Sequence, residues 1–261
     1  MFMLFQKIAE YRKAQNWSAL TLEFLIVVFG IFIGLQANNW NESRKSRAEE
    51  YALLSALFAD FETAAQHLAE VQSNHQGVAD AGQAIISYGE TGNVPDDERA
   101  TFEKLISRHG ARFVFFPPMG TIESILGTNR IELVTNQRLL TELTKWPQLV
   151  ARLNKIEIDA ANHFHERLFP YIASRLDFKD LDKSFSECCF NNPETGETGV
   201  NEMYYPWDQR ATNAYTLVND QEFRNLIYWQ WVHSLNRLVQ LRIVEESLTT
   251  IRVLLEEELA G

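Results

Sequence analysis

Residues 20–37 read LTLEFLIVVFGIFIGLQA, eighteen residues in which Thr21, Glu23 and Gln36 are the only clearly polar side chains. At ~1.5 Å per residue such a helix covers roughly 27 Å, close to the ~30 Å hydrocarbon core of a bilayer. Trp17 and Trp40 bracket the run, at the level where indole rings favour the headgroup region. The stretch predicts one transmembrane helix over 17–41, anchored by Trp17 and Trp40, and no later segment repeats it. Two other readings use the same residues. Lys7, Arg12 and Lys13 ahead of an apolar run also suit a cleaved signal peptide, although Leu35 occupies the place of a small residue before the cut. A buried helix of a soluble domain is the third.

At about 100° per residue, Glu23, Val27, Gly30, Gly34 and Asn38 fall along one line of this helix. Glycines four apart let another helix backbone approach closely, and a carboxylate in hydrocarbon is costly unless protonated, paired or facing a partner. The stripe predicts a contact with a second copy or with another membrane protein. The plainer alternative is a chance pair of glycines with Glu23 reaching headgroups.

The segment LIVVFGIFIGLQANNWNE at 25–42, with Glu23 just before it, resembles the N-terminal signature of a family of uncharacterised bacterial single-pass membrane proteins. A second stretch, TIESILGTNRIELVTNQRLLTEL at 121–143, is similar to a motif of the same family. It departs from that motif at Ile122, where an aromatic is usual, and at Gly127, Thr128 and Asn129 in place of the usual turn. The resemblance implies a short head, one span, a helical body and a bacterial inner-membrane location. It implies no catalytic residues.

Positive charge ties across the span, Lys7, Arg12 and Lys13 before it and Arg44, Lys45 and Arg47 after it. The free amino terminus tips the expectation to a cytoplasmic N-terminus and a periplasmic body. The head, residues 1–16, places Phe2, Phe5, Ile8 and Tyr11 at helical spacing and is expected to lie in the interface. The whole chain carries 24 Lys and Arg against 35 Asp and Glu, a net charge of -11, so a polyphosphate partner would be repelled and no nucleic acid is expected.

The remaining 42–261 is expected to form an antiparallel, all-α bundle. Tyr51, Leu54, Phe58, Phe61, Ala65 and Leu68 make one apolar seam; Leu149, Leu153, Ile156, Ala160, Phe164 and Leu168 make another, starting from Trp146-Pro147. A last helix runs from about Asp220 to Glu258 with Phe223, Ile227, Trp231, Leu235, Leu238, Leu241 and Leu248 on one stripe. Residues 176–218 are read as a long irregular loop in which Tyr204, Tyr205 and Trp207 form a partner or ligand surface, or else pin the connection onto the bundle.

Chemistry-bearing groups are sparse. Asp159, His163 and Glu166 share one helical face and could hold a metal, but no second matching pair accompanies them, and a core histidine is the plainer reading. The adjacent Cys188 and Cys189 supply neither a zinc ribbon nor a disulfide framework, and no base accompanies them as nucleophiles. No cofactor or catalytic residue is expected. The sequence points first to a membrane-anchored interaction module, an accessory or scaffold subunit, second to a ligand-binding, sensor-like bundle, and third to a metal-dependent enzyme.

Overall fold

The computed structural model describes residues 17–176 and 213–260. It is all-α, with no strand among the described residues. One helix, α1, runs without interruption for 75 residues over Trp17–Thr91. Two compact units divide within it, Met1–Leu53 and Leu54–Gly261.

In the first unit every described side chain from Leu22 to Glu49 is exposed, so α1 meets no other element there. The apolar stretch is long enough to cross a membrane, and none of it is buried by protein. Just beyond it Arg44 lies over the Trp40 ring at 5.9 Å, Asn38 donates to Glu42 at 2.8 Å, and Lys45 pairs with Glu49. These local contacts satisfy polar side chains along a stretch of helix that has no neighbour among the described residues.

The second unit packs three long helices. The α1 helix ends at Gly92, whose φ of +66° closes the last turn through an amide bond to the Tyr88 carbonyl at 2.9 Å. After a 3-10 turn at Asp96–Glu98 come α2 (Arg99–Gly110) and α3 (Gly120–Gly127). The long α4 (Gln137–His163) leads through a π-helical turn at Phe164–Leu168 into the short α5 (Phe169–Ala173). A 3-10 turn at Ala214–Asn219 then precedes α6 (Gln221–Ala260).

On each of the three long helices a continuous series of buried positions alternates three and four apart. On α1 these are Leu54, Leu57, Phe61, Ala64, Leu68, Val71, His75, Val78, Gly82 and Ile85. On α4 they are Leu139, Leu143, Trp146, Val150, Leu153, Glu157 and Ala160; on α6, Phe223, Ile227, Gln230, Ser234, Arg237, Leu241, Val244, Leu248, Ile251 and Leu255. That is the spacing of helices packed nearly parallel or antiparallel, side chain into groove.

Cross-links fix the register. Glu62 pairs with Arg252, Gln72 donates to Glu245, Gly82 lies against Trp231, and Gly89 against Arg224, so α1 and α6 run antiparallel. Asn136 donates to Glu258 and His163 to the Leu226 carbonyl, so α4 is antiparallel to α6 as well.

Several expectations shift. The α4 helix does not start at Pro147 but ten residues earlier, where the Asn136 side chain accepts from the amides of Arg138 and Leu139, a full N-cap. Pro147 lies inside the helix and removes one backbone bond. The seams move by one residue: Leu57, Ala64, Val150 and Glu157 are buried where Phe58, Ala65, Leu149 and Ile156 were expected. On α6 the middle of the predicted stripe is wrong, since Leu235 is exposed and Trp231 and Leu238 are half-buried, while Gln230, Ser234 and Arg237 face the core. The irregular loop is shorter than expected at its end, because Ala214, Leu217 and Val218 are buried in a turn.

Glycine makes room inside this bundle. A Cβ at Gly82 would sit 2.4 Å from His109 Cε1 and 3.0 Å from Trp231 Cδ1, and the His109 ring is held between two backbone carbonyls. At Gly77 the nearest atom is the flexible end of Arg108, at 2.7 Å. Gly82→Ala is expected to destabilise the fold by about 1–3 kcal/mol, more than its gain of up to ~1 kcal/mol in helix propensity, whereas Gly77→Ala costs less. Denaturant unfolding of the detergent-solubilised chain checks the difference.

Candidate functional site

Each long helix places polar residues at core positions of the same level. His75 comes from α1, Glu157 from α4, and Arg237, with Ser234 and Gln230, from α6; all are almost fully buried. The antiparallel register set by Gln72–Glu245 and His163–Leu226 brings these positions to one layer of the bundle. On one side of the layer lies the apolar cluster of Ile85, Phe102, Phe164, Phe223 and Ile227. On the other the core is apolar again, with Trp146 edge-on to both Phe61 and Phe115.

His75 Nε2 donates to the Phe113 carbonyl at 2.8 Å, which leaves Nδ1 as a bare lone pair. Glu157 Oε1 accepts from the Phe115 amide at 3.4 Å. The layer therefore ties the extended segment after α2 to both α1 and α4. Arg237 Nη2 donates to Ser234 Oγ at 3.1 Å, and Ser234 Oγ donates on to the Gln230 carbonyl at 3.0 Å. A fourth group comes from α2: His109 is buried, with Nδ1 3.0 Å from the Val78 carbonyl and Nε2 3.4 Å from that of Ile227.

Burial dominates the electrostatics. It lowers His75 to about 3, with the Arg237 and Arg108 charges adding to the effect, and lowers His109 to about 4. It raises Glu157 to about 7 against the pull of the Phe115 amide, Arg237 and Arg112. Arg237 falls to about 10, held up by Glu157. Both histidines are thus neutral near pH 7, and among the described residues Glu157 is the carboxyl group whose charge acts on the buried guanidinium. His75 Nδ1, Glu157 Oε2, Gln230 Oε1 and Arg237 Nε have no hydrogen-bond partner among the described residues.

The residues singled out from the sequence lie elsewhere. Glu23, Val27, Gly30, Gly34 and Asn38 line one exposed face of α1, and Trp40 is exposed; of Trp17 the structure gives only its place at the start of α1. Tyr204, Tyr205, Trp207, Cys188, Cys189 and the head, residues 1–16, fall outside the described residues. Asp159, His163 and Glu166 do not act as one cluster. The π-helical turn at Phe164–Leu168 breaks the register before Glu166, Asp159 pairs with Lys155 at 3.6 Å, and His163 stacks near His233 while bonding the Leu226 carbonyl. Among the described residues no three metal-ligating side chains come together.

Sequence reasoning missed the polar layer because apolar periodicity searches skip polar core positions. One signal was available: Leu54, Leu57, Phe61, Ala64, Leu68, Val71 and Val78 form a clean heptad series in which His75 occupies a core place. No family model matches this chain, and neither a curated protein nor a solved structure is found similar to it.

The layer has a pH signature. Between about pH 4.5 and 6.5 the unfolded chain protonates two histidines that remain neutral in the fold, so their share of stability is lost as pH falls. Glu157 acts in the opposite sense, because the fold keeps a proton that the unfolded chain releases above about 4.5. The histidines outnumber it, so stability is expected to decline on acidification through this window. Glu157→Gln removes the opposing group and is expected to steepen that decline by about one proton equivalent, read from denaturation midpoints across the window.

Proposed function

We propose that this protein is a membrane-anchored helical interaction module, an accessory or scaffold subunit of a bacterial inner-membrane complex. Its N-terminus is cytoplasmic and its body periplasmic. The apolar part of α1 crosses the bilayer, and its Glu23, Val27, Gly30, Gly34 and Asn38 face packs against another helix, from a second copy or another membrane protein.

The observation that carries this reading is a contrast among helical glycines. Gly77, Gly82, Gly89 and Gly110 each stand where a neighbour's side chain fills the space of the missing Cβ. Gly30 and Gly34 have nothing within 4 Å of that place. Gly120 and Gly127 are open too, but they sit at the two ends of α3, where glycine closes or opens a turn. In mid-helix, within an apolar stretch, a pair of open glycines four residues apart suits close backbone approach by a partner. Glu23 on the same face adds a polar group that hydrocarbon alone would leave unsatisfied.

The non-catalytic part of the reading is supported by how the histidines are used. His75 and His109 are fully buried and His163 bonds the Leu226 carbonyl, which suits packing roles. The membrane location is also what the resemblance of residues 25–42 implies.

Replacing Gly30 and Gly34 together by Leu is expected to leave the chain in the membrane fraction and abolish the assembly seen by native-mass determination in mild detergent. The same mass for parent and variant would contradict the proposed contact.

A further inference from the structure

A cleft of about 290 Å³ opens between the end of α1 and the beginning of α6. Its floor is apolar: Val218, Phe223 and Ile227 are buried side chains of the adjoining core cluster. Its wall carries two opposite charges, Glu90 at the end of α1 and Arg224 in the first turns of α6. Among the described residues neither charge has an ion-pair partner.

Arg224 is set in place before any ligand arrives. Its Nη1 donates to the Val218 carbonyl at 2.9 Å, and its stem crosses Gly89, where a Cβ would lie 2.9 Å from Arg224 Cδ. Glycine at 89 thus gives the guanidinium its path along the cleft. With Nη1 occupied, Nε and Nη2 remain to bond an acceptor, and a guanidinium edge suits a carboxylate in two-point contact.

These features select a ligand. A purely apolar occupant would cover two charges without compensating either. A simple carboxylate would satisfy Arg224 but bring a like charge toward Glu90, and a simple amine would do the reverse. We propose that the cleft binds an apolar α-amino acid as its zwitterion. The carboxylate contacts Arg224, the ammonium contacts Glu90, and the side chain lies on Val218, Phe223 and Ile227. The size is consistent, since about 290 Å³ admits a residue such as leucine or phenylalanine but not a large cofactor.

The test is equilibrium dialysis of the full-length protein in detergent against radiolabelled L-leucine and L-phenylalanine. Isocaproate, isopentylamine and glycine serve as competitors that lack, in turn, the ammonium, the carboxylate and the apolar side chain. Saturable binding of leucine or phenylalanine is expected, with each competitor at least about tenfold weaker, the scale of one lost charge-assisted contact. Glu90→Gln and Arg224→Gln are each expected to weaken binding by a similar factor. Glu90 is exposed, so its substitution leaves the fold intact and keeps the test decisive even if Arg224→Gln disturbs the Val218 contact. No saturable binding, equal binding of isocaproate, or a Glu90→Gln protein that binds like the parent would overturn the proposal.

Discussion

A guanidinium withdrawn from water in the middle of a helical bundle must find a counter-charge and hydrogen-bond acceptors, because the desolvation of a buried ion amounts to several kcal/mol. Arg237 imposes that requirement here, and much of the body meets it. Glu157 on α4 supplies a carboxyl group whose ionised form acts on Arg237, Ser234 supplies one acceptor, and burial keeps His75 on α1 neutral near pH 7. A one-residue slip of α6 would remove Arg237 from this layer and expose the apolar positions on either side of it. The layer therefore restricts which register and which antiparallel arrangement the three helices can adopt, a use of buried polar groups known from coiled coils. It also reaches the irregular connection after α2, since Phe113 and Phe115 are held by His75 and Glu157 through their backbones.

The two units of the chain put side-chain size to opposite uses. In the body, Gly77, Gly82 and Gly110 give space to Arg108, His109 and Phe164, so α2 seats its cationic end against α1. In the exposed part of α1 the same residue type stands at Gly30 and Gly34 with its space unfilled. On the functional reading proposed above, a partner helix would complete that face much as neighbouring elements complete the glycines of the body. The body would then be the part presented outside the membrane, with its polar layer keeping three helices in one arrangement.

The helical class, the apolar stretch of the first helix and the final helix from Gln221 were legible because length, composition and apolar spacing act locally. The Asp220 side chain accepts from the Glu222 amide, the local cap that marks this start. The failures trace to polar atoms. Asn136 begins α4 by capping two amides, while Pro147, a more conspicuous signal, is absorbed inside the helix. On α6 the apolar residues Trp231, Leu235 and Leu238 outscore Gln230, Ser234 and Arg237 on any hydropathy pattern, yet the latter face the core, where Arg237 and Ser234 bond along α6 itself and the Glu157 charge from α4 acts on Arg237. No single helix contains that information. The sequence makes His163 a core histidine, but it is only half-buried and bonds the Leu226 carbonyl, and the π-helical turn that carries Glu166 off its face is not revealed by spacing.

The central claim is that the buried Glu157 and Arg237 act on each other electrostatically across α4 and α6. A double-mutant cycle on Glu157→Leu and Arg237→Leu, followed by denaturant unfolding in detergent, addresses it directly. Each single variant is expected to destabilise the fold, Glu157→Leu by leaving the Arg237 guanidinium without its nearby carboxyl group, while the double variant loses less than the sum of the two. Additive losses in the double variant would contradict the account, since the two side chains would then be acting independently.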